Sequence, residues 1–145
     1  MARVIQFGTD GWRATIADTY TFDNVRLAAQ ATAEYFLSSK KAEHGILVGY
    51  DTRFASDRFA RAVAEVLAGN GIHVLLSDRF QPTPVFSYSV IDRKAGGAIV
   101  ITASHNPAPD NGFKIKSDAG ASAPPEVIEQ VEKNLDRLDA SGVQR

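Results

Sequence analysis

Short apolar runs alternate along this chain with longer segments in which apolar residues recur every three or four positions. The short runs have the length of buried strands and cover residues 46–50, 72–76 and 98–102. The longer segments have the period of helices and carry the apolar series Phe22-Val25-Ala29-Ala33-Phe36, Phe59-Val63-Val66-Leu67 and Ile128-Val131-Leu135-Leu138. Strands and helices in this alternation form parallel crossovers, with helices on both faces of one sheet. The sequence therefore predicts an α/β fold, a three-layer α/β/α sandwich with a mostly parallel, mixed sheet.

Capping residues mark the expected ends of the helices. Thr21 is placed to cap the first helix and Ser56 the second, which two glycines, Gly69 and Gly71, bring to an end. A third helix is predicted with Thr83 as its cap and proline in its first turn, ending within 94–97. The remaining elements are a strand at 113–116, a fourth helix from about residue 124, and an edge strand within 11–16.

Length and composition exclude several classes of protein for this chain. The 145 residues suffice for one domain, predicted at 1–138, with 139–145 as a C-terminal tail that starts a linker. Sixteen basic against seventeen acidic residues argue against nucleic-acid or anionic-membrane binding. The absence of cysteine excludes disulfides, thiolate nucleophiles and zinc–thiolate sites. No apolar run approaches the roughly 20 residues of a membrane helix, so a cytoplasmic location is expected.

Polar side chains follow the predicted strands where ligands gather in open α/β sheets, at the carboxyl ends. Asp51 and Arg53 follow the first buried strand, and Ser104 and His105 follow the third. We expect these four residues to meet at one rim of the sheet.

The loop after the third buried strand carries the strongest chemical signal. Ser104 and His105 are followed by Asn106-Pro107, which stiffens the turn, because proline fixes its own φ and holds the preceding residue extended. A rigid loop that holds one hydroxyl forward suits nucleophilic or phosphoryl-transfer chemistry. The alternative is a serine in a hydroxyl-capped turn beside a solvated histidine.

Two further segments carry basic side chains that could contact a phosphate. Lys114 and Lys116 share one face of a short strand, and Lys114 can fold back toward the serine loop as a point charge for phosphate. The alternative is a solvated lysine on an edge strand. Near the N-terminus, residues 7–13 combine two glycines with Asp10 and Arg13, and Arg13 can make a bidentate phosphate contact. By itself this segment is also compatible with an ordinary Asp-Gly turn.

In combination these motifs resemble the α-D-phosphohexomutase superfamily of phosphoglucomutases, phosphomannomutases and phosphoglucosamine mutases. The matching segments are Phe-Gly-Thr-Asp-Gly-Trp-Arg at 7–13, Val-Gly-Tyr-Asp-Thr-Arg at 48–53, Gly-Ala-Ile-Val-Ile-Thr-Ala-Ser-His-Asn-Pro at 97–107 and Asn-Gly-Phe-Lys-Ile at 111–115. The resemblance spans essentially the whole chain and is to the first domain, domain I, of that superfamily.

The resemblance implies a role for each motif. Ser104 would carry the phosphoryl group, and its phosphate would be one ligand of Mg²⁺. His105 and Lys114 would flank the reacting oxygens, while Arg13 and Asn106 would bind phosphate. The residues in supporting positions would be Asp10, Asp51 and Arg53. The reaction would interconvert a hexose 1-phosphate and a 6-phosphate through a phosphoserine and a bisphosphate, the latter also serving as activator.

The chain departs from the superfamily in length, since its members have four domains and carry an aspartate-rich metal loop in the second. We therefore expect hexose phosphate and the remaining domains as partners, and an isolated chain without turnover. The competing hypothesis is a non-catalytic phosphosugar-binding or regulatory module. A serine hydrolase is a weaker alternative, because Ser104 lies in no Gly-x-Ser-x-Gly elbow. The preferred hexose, the general acid or base, the phosphorylation of Ser104 and the oligomeric state stay open.

Overall fold

The computed structural model describes residues 4–141 and arranges five strands and four α-helices in an alternating order. The strands are β1 (Trp12–Thr15), β2 (Ile46–Tyr50), β3 (Val74–Leu76), β4 (Gly97–Ile101) and β5 (Asp110–Lys116). The helices are α1 (Phe22–Ser38), α2 (Ser56–Gly69), α3 (Thr83–Asp92) and α4 (Pro125–Ser141), with a short 3₁₀ turn at Lys41–His44. In this part of the chain no helix is both long and apolar enough to cross a membrane.

The sheet has the strand order β1-β5-β4-β2-β3. Strands β4, β2 and β3 pair in parallel, whereas β5 pairs antiparallel with β4 on one side and with β1 on the other. Four strands therefore run in one direction and only β5 runs against them. The predicted α/β fold with a mostly parallel, mixed sheet is confirmed, including the edge strand near the N-terminus.

The two faces of the sheet are covered unequally. Helices α1, α2 and α4 pack together over one face, where β4 contributes Ile99 and Ile101 to the larger core. The alternate residues of β4, Ala98 and Val100, lie in a smaller core with Phe86 of α3. Helix α3 contacts β2 and β4, so the part of this second face formed by β5 and β1 lies beside the helix.

The structure corrects two predicted helix caps. Thr21 caps α1 as expected, accepting a hydrogen bond from the Asn24 amide at 3.2 Å. Ser56 is instead the first helical residue of α2, because its hydroxyl is directed to Asp51. In α3 the cap is Pro82, so Thr83 is already helical, and the helix ends at Asp92 rather than within 94–97.

Three element lengths also differ from the prediction. Strand β5 starts at Asp110, three residues early, because its first residues pair with β1. Strand β3 is two residues shorter than predicted. Helix α4 continues to Ser141, so residues 139–141 of the predicted tail are helical, and 142–145 lie outside the described residues.

Replacement of Thr21 by alanine tests the first helix cap. The Asn24 amide loses its hydrogen-bond acceptor, and we expect the free energy of unfolding to fall by about 1 kcal/mol in urea titrations. Thr21→Ser keeps the hydroxyl and serves as the matched control. A Thr21→Ala variant as stable as the control would contradict the capping role.

Candidate active site

The loop from Thr102 to Pro109, called the serine loop below, joins β4 to β5 and presents Ser104 at the surface. The Ser104 amide donates to the Thr102 hydroxyl at 3.0 Å, and the Asn106 amide donates to the Ala103 carbonyl at 3.0 Å. Ser104 has a φ of +54°, in the left-handed region that residues with a side chain rarely adopt, and it is exposed. The loop therefore holds the serine at the surface in a strained backbone conformation.

Lys114 is the cation nearest to that serine. Its ammonium group donates to the Ser104 Oγ at 2.7 Å and to the Asp10 carboxylate at 2.5 Å, and the side chain is only 6% exposed. Lys114 and Lys116 are both buried, so the alternative of a solvated lysine on an edge strand is wrong. As expected from its position ten residues after Ser104, Lys114 folds back to the serine loop.

A tight turn at residues 8–11 brings Asp10 to the lysine. The Gly8 amide donates to the Gly11 carbonyl at 2.9 Å, and Gly11 has a φ of +93°. A Cβ atom at Gly11 would stand 2.6 Å from the Phe113 carbonyl oxygen, so a side chain there would push the turn off β5. Glycine at this position therefore allows the Asp10 carboxylate to lie against Lys114.

Asp10 and Arg13 extend the charged cluster. The Arg13 guanidinium donates to the Asp10 carboxylate at 3.3 Å and to the Asn106 side-chain oxygen at 2.9 Å. Burial alone would raise the pKa of Asp10, but the hydrogen bond from Lys114 and the charges of Lys114, Lys116 and Arg13 together lower it below 3.8. Asp10 is therefore held as a carboxylate between cations.

Register explains why these side chains meet. Lys114 lies opposite Val100, and Arg13 lies opposite Gly112, two residues from Lys114 along β5. Side chains two apart share a face, so Arg13 and Lys114 emerge on the face that α3 covers in part. The cluster occupies the β5 and β1 half of this face, beside α3.

Arg53 and Asp51 lie behind the serine loop. The Asp51 carboxylate accepts hydrogen bonds from the Arg53 amide at 3.0 Å and from the Ser56 hydroxyl at 2.8 Å. The Arg53 guanidinium donates to main-chain carbonyls of the loop, those of Ser104, Asn106, Pro107 and Asp110. Arg53 thus contacts the main chain of the loop, and Asp51 holds Arg53 rather than touching the loop itself.

His105 does not join the cluster. Its ring is exposed and forms no hydrogen bond or ion pair with any residue between 4 and 141. The structure places together Asp10, Arg13, Ser104, Asn106 and Lys114, with Asp51 and Arg53 behind them. Sequence reasoning missed the contributions of Ser56 and Asn111, although the Asn-Gly pair at 111–112 was a visible turn signal.

The described residues contain no group of three or more His, Asp or Glu side chains placed to hold a metal ion. Asp10, which shares the Lys114 ammonium with Ser104, is itself paired with the two cations Lys114 and Arg13. The side chains present here therefore do not fit a Mg²⁺ site by themselves.

Comparisons with known proteins agree on one relationship. A family model described as phosphoglucomutase/phosphomannomutase, alpha/beta/alpha domain I, matches residues 4–141. The chain is 35% identical over 142 residues to a phosphoglucomutase of Staphylococcus saprophyticus, covering 94% of this chain and 25% of the relative. It is 39% identical over 127 residues to a phosphoglucosamine mutase of Carboxydothermus hydrogenoformans, covering 88% and 28%.

A solved structure shows the same likeness. A phosphoglucomutase/phosphomannomutase family protein from Burkholderia thailandensis superimposes with a TM-score of 0.79 at 26% identity, covering 97% of this chain and 31% of the other. The chain therefore spans about a quarter to a third of the length of the relatives it matches.

The lowered pKa of Asp10 predicts a specific dependence of stability on pH. A carboxyl whose pKa is lower in the folded state stabilises the protein above its ordinary value, 3.8, and loses that contribution as pH falls through the lowered value. In chemical unfolding between about pH 5 and pH 2, wild type should lose more unfolding free energy than Asp10→Asn. Asp18→Asn, in an exposed turn, is the matched control. Parallel curves for wild type and Asp10→Asn would contradict the charge arrangement.

Proposed function

The chain belongs to the phosphoglucomutase/phosphomannomutase family as its domain I, and from this premise we propose that it is the catalytic-serine domain of a hexose-phosphate mutase. The observation that carries the proposal is the contact of 2.7 Å between the exposed Ser104 hydroxyl and the buried Lys114 ammonium. A serine hydroxyl is a weak nucleophile unless a base or an electrostatic field assists it. Lys114 supplies that field.

The proposed reaction moves a phosphoryl group between Ser104 and the sugar. In the first half, the bond between phosphorus and the Ser104 Oγ breaks and a bond between phosphorus and a sugar hydroxyl oxygen forms. The proton of that sugar hydroxyl ends, in the net step, on the Ser104 Oγ. The resulting sugar bisphosphate reorients and returns its other phosphoryl group to Ser104. A sugar 1-phosphate thereby becomes a 6-phosphate, or the reverse, with the serine phosphate regenerated.

Side chains around Ser104 suit such a transfer. Phosphoryl transfer has a loose transition state that needs alignment and cations around its oxygens. Lys114 would stabilise the negative charge on Oγ as the phosphorus bond breaks, and Asp10 would keep the lysine in place. Two of the five N–H groups of Arg13 contact Asp10 and Asn106, which leaves donors for phosphoryl oxygens. The exposed His105 ring would flank the reacting oxygens once substrate is bound.

The Mg²⁺ implied by the family resemblance would need carboxylates from outside the described residues. From this chain, the phosphate on Ser104 would be one of its oxygen ligands. The metal, when bound, would neutralise phosphate charge. A bisphosphate sugar would act as activator by giving one phosphoryl group to an unphosphorylated Ser104, whose hydroxyl proton would pass to the sugar oxygen released. The proposal also includes a cytoplasmic location, because phosphorylated sugars are charged and do not cross membranes unaided.

Replacement of Ser104 by alanine tests the assignment of the phosphoryl carrier. In the full-length protein that contains this domain, wild type should yield a phosphopeptide spanning Ser104, and Ser104→Ala should lose that phosphate and at least about a thousandfold in mutase turnover. Ser38→Ala, on the exposed side of α1, is the control. Turnover that survives Ser104→Ala would refute the proposal, and retained binding of hexose phosphate without turnover in wild type would favour a non-catalytic binding module.

The 145-residue chain alone should give no isomerisation of glucose 1-phosphate in the presence of Mg²⁺ and glucose 1,6-bisphosphate. The physical reason is that its described residues supply neither a complete metal site nor, in this proposal, the surface that holds the second phosphate. A full-length family mutase provides the positive control. Robust turnover by the isolated chain would show that it contains a complete catalytic site.

A further inference from the structure

The Arg53 guanidinium is saturated by contacts inside the protein. A guanidinium carries five N–H groups in a planar fork. Four of them donate to main-chain oxygens of the serine loop and the fifth, on Nε, lies 3.5 Å from Asp51 Oδ2. The main-chain distances are 2.8 Å to Pro107 and 3.0 Å to Asp110 from Nη1, and 2.8 Å to Ser104 and 2.6 Å to Asn106 from Nη2. Arg53 therefore directs its donors to these carbonyls and to Asp51 rather than to a phosphate.

The fork is itself anchored to the core of the domain. Asp51 also accepts from the Arg53 amide and from the Ser56 hydroxyl, and the Ser56 Oγ accepts from the buried Asn111 side chain at 2.9 Å. The Arg53 side chain is only 13% exposed. A continuous hydrogen-bonded path thus fixes the guanidinium between the first turn of α2 and strand β5.

This arrangement acts on the residue that carries the hydroxyl. Ser104 is held at a φ of +54°, which is unfavourable for a residue with a side chain and needs support from its surroundings. Arg53 provides that support, because its Nη2 donates a hydrogen bond to the Ser104 carbonyl oxygen. The four carbonyl oxygens accept hydrogen bonds from Arg53. Their partial negative charges therefore point toward Arg53 and not toward an incoming phosphate.

We propose that Arg53 is a positioning residue for phosphoryl transfer, which keeps Ser104 in its left-handed conformation and its Oγ on Lys114. This rests on the mutase function proposed above. Since Arg53 touches no substrate in this arrangement, its loss should slow the chemical step and leave substrate affinity nearly unchanged. Lysine cannot replace it, because an ammonium has the charge but not the planar fork.

The first experiment measures the loop without any assay of activity. NMR spectra of the 145-residue chain would report φ of Ser104 through its amide–Hα coupling and Cα and Cβ shifts, in wild type, Arg53→Lys and Arg53→Gln. Both variants should lose the left-handed signature and the amide protection of residues 102–111, while the amides of β2 and β4 stay protected. Arg58→Gln, an exposed arginine in the first turn of α2, is the control. A Ser104 that keeps its conformation in both Arg53 variants would overturn the proposal.

The second experiment measures kinetics in the full-length protein with the same variants. Arg53→Gln and Arg53→Lys should each lower kcat by about 10- to 100-fold, the size of effect expected from a displaced reacting group, with KM within about twofold of wild type. A raised KM at unchanged kcat, or full activity in Arg53→Lys, would overturn the proposal. If Arg53→Gln does not fold, Arg53→Lys decides both experiments.

The two experiments separate the failure of this inference from the failure of the proposed function. Wild-type protein without mutase activity would refute the function, and with it a role for Arg53 in transfer, even if the loop responds to substitution. Active wild type with active Arg53 variants would refute the role of Arg53 alone.

Discussion

The buried ammonium of Lys114 is the interaction on which the rest of this site depends. A cation that is almost removed from solvent is costly unless oxygens surround it. Here those oxygens are the Asp10 carboxylate and the Ser104 hydroxyl, which lie far apart in the sequence. The need to satisfy one charge therefore ties the N-terminal turn, strand β5 and the serine loop to each other, and the same charge faces the hydroxyl that we propose to carry phosphate.

The sheet makes this meeting possible through its one reversed strand. Because β5 runs antiparallel between β4 and β1, the serine loop is the hairpin connection of a β4–β5 pair, and Arg13 on β1 shares a face with Lys114. Helix α3 packs on β2 and β4 of that face, which places the charged cluster beside it. Strand β2 contributes from behind, through Asp51 and Arg53 at its carboxyl end. In a fully parallel sheet the functional side chains lie in loops at the carboxyl ends of the strands. In this mixed sheet the site also includes Arg13 and Lys114, which project from one face of the sheet.

Sequence reasoning succeeded where local chemistry decides and failed where a distant partner competes. The Thr21 hydroxyl accepts a hydrogen bond from the nearby Asn24 amide and caps its helix. The Ser56 hydroxyl instead donates to Asp51, and Ser56 is the first residue of the helix rather than its cap. The sequence placed Lys114 on one face with Lys116 and within reach of the serine loop, and Lys114 does contact Ser104. The alternative of a solvated lysine failed because β1 and the turn at residues 8–11 lie against β5, and nothing in residues 113–116 themselves shows this.

The sequence by itself determined the alternation of strands and helices, the apolar faces that bury them, and a stiff loop with a serine before an Asn-Pro pair. These properties follow from periodicity and backbone restriction, which act over a few residues. Only the tertiary structure decided that Lys114 is buried, that Asp10 neutralises it, and that Arg53 contacts the loop backbone instead of an exposed anion. Those outcomes depend on strand order and on contacts between residues 51 to 104 positions apart. Packing of the whole chain decides which oxygens lie within hydrogen-bond distance of each cation.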